Sequence, residues 1–401
     1  MKILHVIAGI DRTSGGPTYA ILNILKAEQA LGYVNEVVTL QSANMEPEVL
    51  NQSRVHVLSR SFPRRYSRSR EANRWLRENV KRFDVVHIHG IWSFLSLECA
   101  RICRKHGVRY IFHGHGSLDP VDLRKKYWVK EVIGHTYYRS LFSKASAFFC
   151  TADTEADNLV TYGAKTKRLV VPLTVDYCDR NGNRQTFRKK YRIKEDSFVF
   201  LFLSRIDYIK GLDLLVPAFS EILTDFPNSR FIIAGSDSRG YESRIRKLVS
   251  KFQLSERLIF TGLLEGQNKA DAFAGADLFV LPSKKENFGI AVVEALQSGL
   301  PVLISNNVYI HDQILRLNGG WVCDYSVESL HSVMRHILEN KTEYLLKKRY
   351  ARVAGEHFRS RNFADVYKRF YELVLSSAKP PHSLASSREV LKKAQIGSSS
   401  Q

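Results

Sequence analysis

Two carboxylates, Glu286 and Glu294, flank a Phe-Gly pair in the stretch KKENFGIAVVEALQSGLPV, residues 284–302. A carboxylate in a turn can accept hydrogen bonds from sugar hydroxyls, and one on the helix that follows can reach a ribose diol. The orphan backbone N–H groups near Phe288 and Gly289 would add an anion or hydroxyl site, and Gly289 permits close backbone approach. A second group is Arg205 and Lys210 in SRIDYIKGL, residues 204–212. A guanidinium binds phosphate through two parallel bonds, and an ammonium adds a point charge. A third is the loop DRTSGGPTYA, residues 11–20, where Gly15 and Gly16 let the chain pass near a ligand and Pro17 suits a first helical turn. It is not GxGxxG, which argues against a nicotinamide site. The fourth is YIFHGHGSLDP, residues 110–120, with His113 and His115 at a strand end, where an imidazole can orient a hydroxyl. Spacing alone does not rank these two, and His87 and His89 alternate along another strand. Each group also has a plain reading: a helix-dipole partner, surface cations, a tight turn, a hydrogen-bonded structural histidine.

The elements that must position these groups follow from apolar runs. Strands are expected at 2–9, 35–40, 55–59, 84–90, 109–114, 147–151 and 168–173, then at 198–206, 230–236, 257–262, 278–283, 301–305 and 320–324. Continuous Val/Ile/Leu runs mark strands buried on both faces, hence parallel sheets with crossover helices. A polar stretch at 179–197, DRNGNRQTFRKKYRIKEDS, separates the two series as a linker or irregular entry. The fold class is therefore α/β, with two Rossmann-like domains in sequence. Ligands are expected at the carboxyl ends of the strands, in a cleft between the domains. Two helical patterns, about 326–356 and 362–378, close the ordered chain.

Composition narrows the class. The 401 residues suffice for two ordinary domains, and 44% are hydrophobic. No long uncharged apolar window is present, so no spanning helix is expected. The opening MKILHVIAG is too short and too soon followed by Asp11 and Arg12 for a leader, and suits a first buried strand. The five cysteines are scattered without a C-x-x-C pair, which fits reduced thiols in a cytosolic protein and no metal site. A formal charge of +20 favours polyanionic partners. Basic residues crowd 60–82 and 123–130; in the latter, Tyr127 and Trp128 stand among Arg124, Lys125, Lys126 and Lys130. That mixture suits an anionic membrane surface, and a solvated basic face is the alternative. A basic nucleic-acid-binding protein would carry a recognition signature that this chain lacks.

The joint order of glycine-rich loop, strand-end histidine, Arg-x4-Lys and Glu-x7-Glu resembles retaining glycosyltransferases of the GT-B fold, specifically glycosyltransferase family 4. The resemblance runs over residues 1–375 and is most specific in SRIDYIKG and PSKKENFGIAVVEALQSGLPV. It implies a GT-B architecture: a Rossmann-like acceptor domain at 1–178, a donor domain at 179–360, a helix at 361–378 returning to the first domain, and a disordered tail at 379–401. It implies that Arg205 and Lys210 bind the donor diphosphate, that Glu286 contacts the donor sugar and that Glu294 holds the ribose. Asn287, Phe288, Gly289 and Ile290 would lie along the sugar and phosphates, and Gly235, Gly15 and Gly16 would complete the donor site. HGSLDP is similar to an HGMLDP segment of some members, which favours His115 as the active-site histidine. Where members often carry Pro-Asn-Gly-Val-Asp, this chain has PLTVD at 172–176, a departure that touches the domain junction.

The implied reaction moves a sugar from a nucleotide-diphosphate sugar to a hydroxyl of a saccharide or lipid-linked acceptor, in polysaccharide, O-antigen or exopolysaccharide synthesis. Catalytic roles would fall to His115, Glu286, Arg205 and Lys210. No cofactor and no metal are expected, because protein cations would neutralise the diphosphate. The alternatives are an inverting transferase or a nucleotide-sugar epimerase of the same fold. The expected location is cytoplasmic, peripheral on the inner face of the cell membrane.

Overall fold

The computed structural model describes residues 1–11, 16–62, 67–124, 128, 130, 134–161, 167–177, 181–237 and 240–376. Gly15, Lys125, Lys126, Tyr127 and the tail at 379–401 lie outside these. Two compact units form: Met1–Leu173 with the chain from Phe363 on, and Thr174–Asn362.

The first unit holds β1 (Lys2–Ile7), β2 (Val34–Leu40), β3 (Arg54–Leu58), β4 (Val85–His89), β5 (Arg109–His113), β6 (Ala147–Cys150) and β7 (Arg168–Val170). They form one sheet in the order β3-β2-β1-β4-β5-β6-β7, with every pair parallel. The second unit holds β8 (Val199–Leu203), β9 (Arg230–Ala234), β10 (Leu258–Gly262), β11 (Leu278–Leu281), β12 (Val302–Ser305) and β13 (Gly320–Cys323). Their order is β10-β9-β8-β11-β12-β13, again all parallel. Each expected strand is found. In both sheets the order reverses once, between β1 and β4 and between β8 and β11, and such reversals open a crevice at the strand ends.

Strand alternation sorts the first sheet's faces. Leu4, Val6, Val86, Ile88, Phe112 and Phe148 pack into one apolar core. The register sets His5 beside His87 and His89 beside His113, so these residues share the opposite face. There the helix Gly16–Ala30 supplies buried Glu28, and the helix Ala364–Leu375 supplies buried Tyr371. Burial chiefly, and then the neighbouring imidazoles, pushes His87, His89 and His113 well below the usual histidine range.

Two expectations change. The pattern at 326–356 is two helices, Val327–Glu339 and Lys341–Glu356, because Asn340 leaves helical geometry with ψ 69. The polar stretch at 179–197 contains a helix, Arg184–Lys190, rather than plain linker. Its Arg188 is fully buried and donates to the carbonyls of Gly275 (3.1 Å), Lys194 (2.8 Å), Glu195 (3.1 Å) and Ser197 (3.0 Å) and to Asp277 Oδ2 (2.8 Å). The Nε–H and Nη2–H groups serve Gly275 and Asp277, and the three carbonyls at 194–197 share the two hydrogens of Nη1.

Removing that guanidinium strands several buried carbonyls and leaves Asp277 only Arg184 (3.0 Å) and the Val199 N–H (2.9 Å) as partners. Arg188→Ala should cost about 3–5 kcal/mol in urea unfolding of the second unit, and Arg188→Lys should recover little of it. The neutral histidines of the first unit give a second expectation. Below the ordinary pKa of 6.5 the unfolded chain binds protons that the fold refuses. Stability therefore falls as pH drops below 6.5, by about 1.4 kcal/mol per pH unit for each such group. Urea midpoints at successive pH values from neutral to acid check the slope; a flat profile refutes it.

Candidate active site

Arg205 and Lys210 stand in the loop after β8, and Glu286 stands in the loop after its neighbour β11. The two loops are joined in three ways. Lys284 N–H donates to Ile209 O at 2.8 Å. A Cβ at Gly211 would lie 1.8 Å from Pro282 O, and φ there is 74°, so only glycine lets the loops touch. Lys210 Nζ then bonds Glu286 Oε2 in a short ion pair.

Glu286 is fixed through its backbone as well. Its N–H donates to Asn307 O and its C=O accepts from Tyr309 N–H, both at 3.0 Å. Burial raises its pKa, but the Lys210 ammonium, its hydrogen bond, and Arg205 outweigh burial and hold it below the usual carboxylate range. Asp207 accepts from Ile209 N–H at 3.1 Å and so caps the turn that delivers Lys210.

The helix Ile290–Gln297 starts three residues beyond Asn287. Gly289 takes φ 79 as its N-cap. Val292 and Val293 N–H return to Gly289 O. The first N–H groups, at Ile290 and Ala291, meet no backbone acceptor among the described residues, as a helix start requires. Phe288 is turned away, its side chain buried against Phe358 with ring centroids 5.8 Å apart. Glu294 sits one turn along this helix and pairs with Lys269 Nζ at 2.7 Å. The ammonium of Lys269 also lies 5.4 Å over the ring of Tyr177. Gly235 follows β9 directly, and a Cβ there would fall 1.8 Å from Ser204 O, so its small size serves the packing of the loop that carries Arg205.

In the first unit Gly16 opens the helix Gly16–Ala30, with open space where a Cβ would stand. His113 is wholly buried and neither ring nitrogen has a partner. His115 keeps an exposed edge and takes the left-handed φ of 49°. Such a conformation costs on the order of 1 kcal/mol in a non-glycine residue and is held by its surroundings. Glu155 Oε1 accepts from Gly116 N–H at 2.7 Å, Trp92 Nε1–H donates to Ser117 O at 2.9 Å, and the rings of His113 and His115 stack at 3.6 Å. Desolvation pushes the His115 pKa down to about 3.

Two histidine groups, His5–His87–His89 and His89–His113–His115, have ligand atoms close enough for one ion. His5 and His89 bond each other directly at 2.9 Å, and His89 and His115 at 3.0 Å. An ion would have to break those bonds.

Sequence reasoning found the loops but not their partners. Lys269 lies 25 positions from Glu294 in chain order and carries no motif of its own. Glu28 and Tyr371, 343 positions apart, look like ordinary amphipathic-helix residues. The alternation of His87 and His89 and the strand-end His113 and His115 were the visible signs of the histidine face.

Comparison with known proteins agrees with this layout. Residues 15–174 match the family model described as glycosyl transferase 4-like domain, and residues 183–354 match glycosyl transferases group 1. The glycosyltransferase MJ1607 of Methanocaldococcus jannaschii is 26% identical over 63% of this chain and 65% of its own length, so the chain spans less than two thirds of that relative. The O-antigen biosynthesis glycosyltransferase WclY of Escherichia coli is 26% identical, covering 76% of this chain and 80% of its own. The solved structure of Anabaena Alr3699/HepE in complex with UDP-glucose superposes with a TM-score of 0.76 at 16% identity, covering 93% of this chain and 99% of that one. Because family models for both halves match in their expected order, on a fold shared with solved GT-B enzymes, the chain belongs to the group 1 glycosyltransferases.

Proposed function

We propose that the protein transfers a hexosyl group from a nucleotide-diphosphate sugar to a hydroxyl of a saccharide or lipid-linked acceptor, with retention at the anomeric carbon and without a divalent ion. The carrying observation is the Lys210–Glu286 pair at the ends of β8 and β11, beside Arg205 and the start of the helix Ile290–Gln297. The O-antigen relative supports a polysaccharide or lipopolysaccharide setting, and the neighbour's UDP-glucose supports a nucleotide-sugar donor.

In this reading Arg205 and Lys210 take the diphosphate, and the free amides of Ile290 and Ala291 add neutral donors. As the bond to the sugar breaks, charge grows on the leaving oxygen, and fixed donors stabilise it without reorganising. Glu286, relieved of part of its hold on Lys210, accepts from sugar hydroxyls. Glu294 and Lys269 face the ribose. Asn287, Phe288 and Gly289 contribute backbone only. Glu286 is tied by Lys210 and by its backbone, which suits an acceptor of hydroxyls better than an attacking group. Retention then does not proceed through a glycosyl-enzyme bond of the glycosidase kind. The acceptor approaches on the side that the diphosphate leaves, and the departing oxygen takes its proton. His115, with a free edge on the first unit, contacts a substrate hydroxyl. An inverting reaction with His115 as base is the second reading, favoured by that free edge.

Lys210→Ala should lower kcat about 10²–10³-fold, the scale of one lost oxyanion donor, with the circular dichroism spectrum unchanged. Nucleotide release across a panel of UDP- and GDP-sugars measures this. In the same assay a chelator should leave the wild-type rate unchanged, and the anomeric configuration of the product separates the two readings. Wild-type kinetics in Lys210→Ala would refute the diphosphate assignment.

The proposed setting includes an anionic membrane surface. Among the described residues no helix is long and apolar enough to cross a membrane. Trp128 is 77% exposed on the basic stretch, which is the arrangement of an interfacial anchor. The protein should sediment with anionic liposomes at low salt, and Lys125→Glu with Lys126→Glu should reduce that several-fold. Unchanged sedimentation of the double variant would remove the membrane from the proposal.

A further inference from the structure

Four ionisable groups of the first unit form a continuous hydrogen-bonded line. Glu28 Oε2 lies 2.8 Å from His5 Nε2, His5 Nδ1 lies 2.9 Å from His89 Nε2, and His89 Nδ1 lies 3.0 Å from His115 Nε2. Glu28, His5 and His89 are at most 2% exposed, and His115 alone reaches the surface. Among the described residues the one hydrogen bond of the His115 ring is the one at Nε2.

The donors around Glu28 fix the direction of this line. Asn35 Nδ2–H donates to Oε2 at 3.1 Å, and the Tyr371 hydroxyl donates to Oε1. Both oxygens are thus acceptors, which is the pattern of a carboxylate. His5 must then present Nε2–H to Oε2. With His5 taken as a neutral imidazole, the premise on which the direction of the line rests, its one N–H is spent on Glu28, so Nδ1 is an acceptor and His89 must donate to it from Nε2. His89 Nδ1 is left as an acceptor, and His115 must donate to it from Nε2. The last ring therefore ends with a bare lone pair on Nδ1.

We propose that Glu28, His5 and His89 are positioning residues that act through this relay to lock His115 as a hydrogen-bond acceptor at Nδ1, matched to a hydroxyl of a sugar substrate. The relay rests on the reading of His115 as a substrate contact only for its ligand, because the tautomer itself is set within the first unit. A carboxylate three groups distant thereby selects hydroxyl donors over carbonyl or phosphate oxygens, which have no proton to give. The stack on His113 at 3.6 Å and the bond of Gly116 to Glu155 hold the His115 ring in place while the relay sets its polarity. Tyr371 also lies 3.4 Å from His87 Nδ1, which ties the helix Ala364–Leu375 to the same face.

Ring ¹⁵N spectra of the full-length, histidine-labelled protein test this, with His115 assigned by loss of its signals in His115→Gln. In the wild type at neutral pH, His115 should be protonated at Nε2 and bare at Nδ1. In Glu28→Gln the amide oxygen can keep the Tyr371 hydroxyl only by turning its N–H toward His5 Nε2. The relay then reverses, and His115 should move toward the Nδ1–H form. With a sugar-nucleotide donor, kcat should fall at least tenfold while KM stays within about twofold. A wild-type His115 protonated at Nδ1 overturns the proposal even if Glu28→Gln fails to fold. So does an unchanged His115 pattern in a folded Glu28→Gln protein, or a stoichiometric divalent ion that binds these rings in purified protein. If His115→Gln turns over normally while the spectra behave as expected, the relay stands and it is the catalytic reading of His115 that fails.

Discussion

The contact between Lys210 and Glu286 is the constraint around which the second unit is arranged. A lysine that is 8% exposed in its side chain carries a desolvation penalty unless an anion is at hand. Glu286 supplies that anion and is itself kept ionised by the ammonium and by Arg205, against the pull of burial. Glu286 thus lets the site keep a positive charge in a largely enclosed place. Glu286 is 20% exposed, so the pair is reachable rather than sealed. In the proposed reading an incoming diphosphate offers the same ammonium two charges instead of one, and the exchange leaves Glu286 free to accept hydroxyls. On that reading a single pair therefore serves both as structure in the resting protein and as the preorganised part of a donor site.

That pair exists only because the sheet is parallel. Parallel strands put their loops at one edge, and the reversal of strand order between β8 and β11 brings the loops after these two strands together. The contact of Gly211 with Pro282, the bond from Lys284 to Ile209 and the placement of Gly235 against Ser204 are ways of closing two loops to backbone distance. A side chain at any of these glycines would push apart the groups that must meet. The glycines here are demands of loop packing first, and their effect on a ligand follows from that.

The strands were legible because buried parallel strands are continuous apolar runs, and both sheets follow from that one rule. The loops were legible because charged residues beside glycine at strand ends break such runs abruptly. Less was visible where long-range packing decides. Arg188 looks like one more cation in a polar stretch, yet it is the most enclosed guanidinium of the second unit, because Gly275 and the turn at 194–197 offer carbonyls from three directions. Asn340 breaks a helix that periodicity would continue. Glu28 occupies a helical position that any polar residue could fill on a surface helix, and its buried partners, His5, Asn35 and Tyr371 from the far end of the chain, are not visible from its own segment.

The two units solve opposite electrostatic problems. The second keeps cations fixed by buried or half-buried carboxylates, and the proposed function gives their charge to a diphosphate. The first keeps imidazoles neutral by burial, so that what it presents is a lone pair and not a charge. His113 shows how much the fold gives up for this. Both its ring nitrogens are buried without partners, and an unsatisfied buried polar atom costs about 1–3 kcal/mol. A phenylalanine would fill that space at no such penalty, as Phe149 does alongside it, 4.7 Å away. What a phenylalanine would not supply is a polar, polarisable ring stacked on His115, whose left-handed backbone needs that support. An unsatisfied group next to a strained one, at the end of a line of histidines rooted in a buried carboxylate, is a combination that costs stability, and the proposed contact of His115 with a substrate hydroxyl gives that cost a use.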